Sequence, residues 1–292
     1  MKAMLGLLCL CFAISGVQAN AAGGKATKRL HPYTAHSVAL QLRSSSVLVV
    51  NQDSGEPLFA KNVGQVMPIA SITKLMTAMI VLDSGLPLLE SIDIDNHDVD
   101  RIKGSRSKLQ IGTTLMRAEM LKLALMASEN RAAAALARNF PGGTGAFVDA
   151  MNQKSAELGM LNTHFDDATG LSPNNVSTAE DLARMVAAAH TYPLIREYTT
   201  ADSFKIESED RRRRRMLSYG NSNRLVKSSQ WDIGLSKTGY ISEAGRCLVM
   251  QAMIADKPVI IILLDSWGKF SRIADANRIK RWIEKDVQRV SG

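Results

Sequence analysis

Cysteine is scarce in this chain, with only Cys9, Cys11 and Cys247 among 292 residues. The first two fall in a leading apolar run that reads as removable, which leaves Cys247 alone. No internal disulfide can then staple the fold, so its core must hold it. Cys247 lies in the apolar run Cys247-Leu248-Val249-Met250 and reads as a buried strand residue rather than a nucleophile. Histidine is equally thin. His31, His36, His97, His164 and His190 are scattered without paired ligand spacing, so no metal and no cofactor is expected, and His164 reads as a loop or packing residue. The serine-hydrolase elbow Gly-x-Ser-x-Gly is missing. After the first twenty residues no segment approaches the roughly twenty apolar residues needed to cross a bilayer. Positive charge lacks breadth: the formal net charge is +8, and Arg211 to Arg215 supply five of those charges in one place. Nucleic-acid binding needs a wider basic patch interleaved with aromatic or polar readers, and is not expected. The arginines read as a solvated loop, or as a handle for an anionic polymer or acidic lipid surface, which leaves peripheral association open.

What is present begins with a leader. Lys2 precedes an apolar run from Ala3 to Ile14, and Val17-Gln18-Ala19 forms a small-x-small site. This predicts a signal peptide over residues 1–19 and export to the periplasm; an uncleaved anchor is the alternative. Residues 20–35 read as a flexible lead-in. The remaining chain, 36–292, predicts one catalytic domain. At about 270 mature residues and 46% apolar composition overall, it can bury a sizeable core.

Strand patterns fall at both ends. Val38, Leu40 and Leu42 alternate, Val47 to Val50 form a β-branched run, and Asn51 to Gly55 reads as a turn. Leu235 to Gly239, Arg246 to Ala255 and Val259 to Leu264 predict three more strands. Between them the chain is mostly helical. A helix opening at Pro68 carries Ile72, Leu75, Met76, Met79 and Ile80 at helical spacing, and further helices are expected over 117–139, 147–158 and 178–190. A closing helix covers Ile273 to Val290. The expected fold is α+β: an antiparallel sheet built from both chain ends, flanked by helices, with a helical subdomain inserted at about 86–200.

Three short motifs carry the chemistry. Ser-x-x-Lys occurs three times, at Ser71, Ser105 and Ser266, but only Ser71…Lys74 starts a well-patterned helix. There the i, i+3 spacing puts hydroxyl and amine on one face, at a helix start whose free N–H groups favour an oxyanion and whose dipole and burial lower the lysine pKa. Ser71 as a plain cap with a solvated Lys74 fits the motif equally well. Ser-x-Asn occurs at Ser128…Asn130 and Ser172…Asn174, and the first follows a strongly apolar helical stretch. Ser128 could relay a proton to a leaving amine while Asn130 orients the reacting centre, or the pair could be an ordinary helix stop. Lys237-Thr238-Gly239 occurs once, on a predicted strand edge where Gly239 admits another backbone and Lys237 and Thr238 can take a substrate carboxylate.

In that order and placement the motifs resemble those of the penicillin-recognising serine D,D-peptidases and serine β-lactamases. Pro68-Ile69-Ala70-Ser71-Ile72-Thr73-Lys74-Leu75-Met76 resembles the family's nucleophile helix, and Asp167-Ala168-Thr169-Gly170-Leu171-Ser172 a segment of its low-molecular-mass D,D-peptidases. The stretches Leu125 to Ala133, Asn223 to Val226, Trp231 to Ile233, Ser236 to Tyr240 and Glu243 to Cys247 are most similar to periplasmic D-alanyl-D-alanine endopeptidases of the penicillin-binding protein 7 type. The resemblance implies Ser71 as nucleophile, Lys74 as general base, and Ser128 and Asn130 as second-motif groups. It implies substrate contacts at Lys237, Thr238 and Gly239, and an oxyanion hole from the backbone N–H groups of Ser71 and Tyr240. The implied partners are peptidoglycan peptide stems and β-lactam antibiotics as acylating inhibitors. It gives Arg211 to Arg215 no role.

The expected activity is cleavage of D-alanyl cross-links through a Ser71 acyl-enzyme. The chain ends soon after the closing helix, which favours endopeptidase over a D-alanyl-D-alanine carboxypeptidase with a further β-rich domain and anchor. A serine β-lactamase would need a carboxylate to activate the deacylating water, and neither Glu180 nor Asp166-Asp167 matches one. A non-catalytic wall-binding module has no need of Lys74.

Overall fold

The computed structural model describes residues 40–210 and 213–291, with side chains except at 208–210, 213–215 and 288–291. The signal peptide and lead-in expected over 1–35, and Val38, lie outside the described residues. In chain order the elements are β1 (Ser44–Asn51), β2 (Pro57–Lys61), the two-residue β3 (Met67–Pro68), a 3₁₀ turn Ala70–Thr73, and α1 (Lys74–Asp83). β4 (Ser91–Asp93), β5 (Thr114–Met116), α2 (Arg117–Met126), α3 (Asn130–Arg138) and α4 (Gly143–Glu157) follow. Then come β6 (Val176–Ser177), α5 (Ala179–His190), α6 (Pro193–Thr200), β7 (Ser203–Asp210) and β8 (Arg213–Gly220). β9 (Asp232–Ile241), β10 (Gly245–Ile254), β11 (Lys257–Ser266) and α7 (Ser271–Ser291) complete the chain.

The main sheet has the order β2-β1-β11-β10-β9, every neighbour antiparallel. Strands from both chain ends build it, as expected, and β9 forms one edge. The middle stretches of its central strands carry apolar side chains on both faces because both faces are covered. Val47, Val49, Leu248, Met250, Ile261 and Leu263 face α7, where Ala276, Ile279 and Ile283 meet them. Leu48, Val249, Ile260 and Ile262 face the helical side, in one core with Leu75, Met76 and Met79 of α1 and Leu182 and Met185 of α5. Each such side chain taken from water contributes about 1.5–3 kcal/mol. Buried Asp275 of α7 accepts from the backbone N–H of Arg43 and Ser44, at 2.9 and 2.8 Å, and so clamps the entry to β1.

Four elements differ from the sequence reading. Leu40 and Leu42 alternate but belong to no strand; they pack against the α7-side core. Pro68 pairs with Val176 in the short β3–β6 ladder instead of opening the helix, which starts beyond it with the 3₁₀ turn. The 117–139 segment is two helices, broken at Ser128, whose φ of 61° is left-handed. Arg213 to Arg215 stand on β8 rather than in a loop, and the hairpin register sets Glu209 opposite Arg214 and Asp210 opposite Arg213. Arg211 and Arg212 lie outside the described residues.

Candidate active site

The site forms where the start of α1, the α2–α3 junction, the 166–175 loop and edge strand β9 converge. Ser71 sits in the 3₁₀ turn Ala70–Thr73, and Ala70 before it is held at a φ of 49°, an uncommon conformation for alanine. Three contacts hold this turn. Thr73 Oγ1 donates to the Ala70 carbonyl at 2.8 Å, Asn175 Nδ2 donates to Thr73 Oγ1 at 3.0 Å, and Ile69 N–H donates to the Asn175 carbonyl at 3.0 Å.

Two glycines let neighbouring backbone reach the turn. A Cβ on Gly170, itself at a φ of 78°, would stand 2.0 Å from the Ala70 carbonyl oxygen. A Cβ on Gly239 would stand 2.9 Å from the Ile69 oxygen and 3.1 Å from the Ser71 nitrogen. The 166–175 loop is set by its own polar groups. Asp167 accepts from the backbone N–H of Gly170 and Ser172, both at 2.6 Å, and Asn175 Oδ1 accepts from those of Asp166 and Asp167 at 2.7 and 3.0 Å. This geometry turns the Thr169 carbonyl toward Lys74.

Lys74 is fully buried at the first residue of α1. Its Nζ donates to Ser71 Oγ at 2.9 Å, to Asn130 Oδ1 at 2.7 Å and to the Thr169 carbonyl, which uses all three ammonium hydrogens. Burial lowers its pKa to about 8, against the opposing pull of Asp167, Glu129 and Asp100. A neutral amine beside Ser71 can accept the hydroxyl proton as the oxygen attacks.

Ser128 bridges α2 and α3, and Lys237 Nζ donates to its hydroxyl at 2.8 Å. Lys237 is buried in β9, and its pKa lies well below the ordinary lysine value through burial first and the charges of Lys74 and Arg272 second. Thr238 Oγ1 donates to Ser222 Oγ at 2.8 Å, while Ser222 N–H donates to the Met126 carbonyl at the end of α2. Ser71, Lys74, Ser128, Asn130, Lys237, Thr238 and Gly239 therefore meet at one place. The Tyr240 ring does not join them: it is 57% exposed and lies under the Arg246 guanidinium, 4.5 Å from its centroid. Beside the site a cavity of about 290 Å³ opens between Asn130, Asp167, Thr169, Asp100 and Ile102.

Sequence reasoning missed four contributors. Ser105, set aside for lack of a helix behind it, accepts from Asn130 Nδ2 at 2.9 Å. Arg272 at the start of α7 donates to the Gly239 and Cys247 carbonyls at 2.9 and 3.1 Å. Thr169 acts through its carbonyl and Ser222 by tertiary contact, and a lone sequence marks neither. Cys247 is buried in β10, where burial pushes its thiol up to about 11. His164 forms an isolated bridge with Val176.

A serine and a buried lysine at the head of α1, faced by a second Ser–Lys pair formed between the α2–α3 junction and the sheet edge, mark the penicillin-recognising D,D-peptidase class. The profile of the S11 peptidases, described as D-alanyl-D-alanine carboxypeptidase, matches residues 32–268, and the chain belongs to that family. It is 47% identical to a D-alanyl-D-alanine endopeptidase of Pseudomonas aeruginosa over 84% of this chain and 78% of that one. It is 44% identical to a D-alanyl-D-alanine endopeptidase of Escherichia coli K12 over the same shares. The crystal structure of the Streptomyces K15 D,D-transpeptidase superposes with a TM-score of 0.77 at 27% identity, covering 83% of this chain and 97% of that one.

Proposed function

We propose that the protein is a serine D,D-endopeptidase that opens D-alanyl cross-links in peptidoglycan. The observation that carries the chemistry is Lys74 Nζ at 2.9 Å from Ser71 Oγ, buried, with a pKa near 8. Ser71 attacks the D-alanyl carbonyl, and Lys74 takes its proton. The backbone N–H groups of Ser71 and Tyr240 hold the oxyanion. The proton held by Lys74 then passes through the hydroxyl of Ser128, which is joined to Lys237, to the leaving amine of the neighbouring stem, so that Ser128 ends as it began. Asn130 orients the acyl amide, while Lys237 and Thr238 hold the leaving end. Water then resolves the ester.

The choice of endopeptidase rests on the names of the relatives at 44–47% identity. Export and periplasmic residence follow from the leader pattern of residues 1–19, and the same reading makes 36–292 the catalytic domain. β-Lactams would acylate Ser71 and leave slowly. Asp167, the carboxylate of the adjacent loop, is engaged with the loop's own backbone N–H groups, and Asp166 with the Ser172 hydroxyl, so neither is set to activate water. The test is digestion of intact cross-linked wall fragments with the purified protein. Loss of cross-linked dimers without release of free terminal D-alanine supports the endopeptidase; the reverse result makes it a carboxypeptidase.

A further inference from the structure

One ion pair joins the two walls of the cleft directly: Lys103 Nζ donates to Glu243 Oε1, across 140 residues of chain. Both ends are anchored next to the groups just described. Asp100 shapes the Lys103 loop, accepting from the backbone N–H of Ile102 and Lys103 at 2.8 and 2.9 Å through Oδ1 and from that of Ser105 at 2.7 Å through Oδ2. Ser105 in turn receives the Asn130 amide at 2.9 Å. Glu243 lies in the β9–β10 turn, three residues past Tyr240, and Ser242 Oγ donates to its other oxygen at 2.7 Å. The two side chains are 26% and 39% exposed, so both are open to contact from outside the protein.

Position along β9 decides what passes there. Lys237 and Thr238 take the leaving end and the Tyr240 N–H the attacked carbonyl, so the next stretch toward Glu243 is the acyl side. At ~3.3 Å per residue, Glu243 is at most about 10 Å beyond Tyr240. An extended peptide covers that distance in two or three residues.

We propose that Lys103 and Glu243 form a specificity element that reads the side chain two or three residues before the attacked carbonyl. The preferred side chain ends in an ammonium and a carboxylate on one carbon. Such an end replaces both halves of the pair at once, its carboxylate taking Lys103 and its ammonium taking Glu243. A neutral end would part the two charges and return nothing, and a singly charged end would satisfy only one of them. The inference rests on the D,D-peptidase reading and names the part of the stem that this site selects.

The experiment compares two cross-linked stem dimers. In one the acyl-side stem carries the free zwitterionic end; in the other that amine is acetylated and that carboxyl amidated. The wild-type protein is expected to cleave the free form with a kcat/KM about tenfold higher, as for two partly exposed charge contacts. In Lys103→Gln/Glu243→Gln the ratio is expected to fall to about one. A merely structural strap would lower both rates together and keep the ratio, which overturns the inference, as does an absence of preference in the wild type. Fluorescent penicillin labelling and thermal melting of each variant check Ser71 and the fold. If the wild type neither labels nor cleaves either dimer, the D,D-peptidase reading falls and takes this inference with it. Labelling and cleavage without selectivity remove the inference alone.

Discussion

The absent side chain of Gly170 is what allows the Thr169–Gly170 backbone to lie against Ala70: an added Cβ would stand 2.0 Å from the Ala70 carbonyl oxygen. Gly170 is also left-handed, at a φ of 78°. Gly170→Ala therefore meets both a backbone clash and a strained dihedral, and a loss of about 2–4 kcal/mol is expected. Because the clash falls on the turn carrying Ser71, penicillin acylation should fall further than the melting temperature alone accounts for. Acylation rate measured well below the melting point checks this; a stable variant that acylates at the normal rate would contradict it.

Lys74→Met removes the amine while keeping the length of the side chain. Acylation by penicillin is expected to drop at least about a thousandfold, and Ser71→Ala to abolish both labelling and wall digestion. Circular dichroism should show both variants folded. A Lys74→Met protein that labels at a tenth of the wild-type rate would remove Lys74 from the role of base.

The wild-type acylation rate should also follow the state of that amine. Lys74 titrates at about 8, and only its neutral form accepts the Ser71 proton. The rate should therefore rise with pH and level off above about 8, falling tenfold per pH unit on the acid side. A profile flat from pH 5 to 9 would show that the proton goes elsewhere.

Ser105→Ala tests a contact that sequence motifs passed over. It leaves Asn130 Nδ2 without its 2.9 Å acceptor while Asn130 Oδ1 keeps Lys74. The expected cost is about 1 kcal/mol, seen as a reduced kcat/KM for stem peptides more than as lost stability. Rescue by Ser105→Thr, which keeps the hydroxyl, separates lost orientation from lost packing.

Such contacts explain why some of the site could be read in the sequence and some could not. In the proposed mechanism Ser71, Lys74, Ser128, Asn130 and Lys237 act through side chains whose chemistry and order announce them. Thr169 acts through a carbonyl that every residue possesses, aimed by Asp167 and Asn175. Ser222 and Arg272 reach β9 only after the chain has folded. The two-ended sheet was legible because β1, β10 and β11 carry dense β-branched and apolar runs. The β7–β8 hairpin was not, although Phe204 and Ile206 alternate as Leu217 and Tyr219 do. The charged residues at its tip mask the period-2 pattern, and the backbone register then pairs acids with arginines. Leu40 and Leu42 show the opposite error, an alternation that serves packing without a ladder partner.

Burial of Lys74 carries a thermodynamic consequence separate from catalysis. Its pKa is about 8 in the folded protein against 10.5 for an ordinary lysine, with desolvation as the main cause. Below pH 8 both states hold the proton, and the folded state bears the full cost of a buried ammonium. Between about 8 and 10.5 the unfolded chain binds more protons than the folded one, so stability rises with pH. The gain from this group is about 3 kcal/mol across that window. Lys237, lowered by burial and by Lys74 itself, acts in the same direction. Urea unfolding at pH 7 and pH 9.5 should show the wild type gaining stability relative to Lys74→Met, in which this contribution is absent. A difference between the two proteins that stays constant with pH would mean Lys74 keeps an ordinary pKa in the folded state.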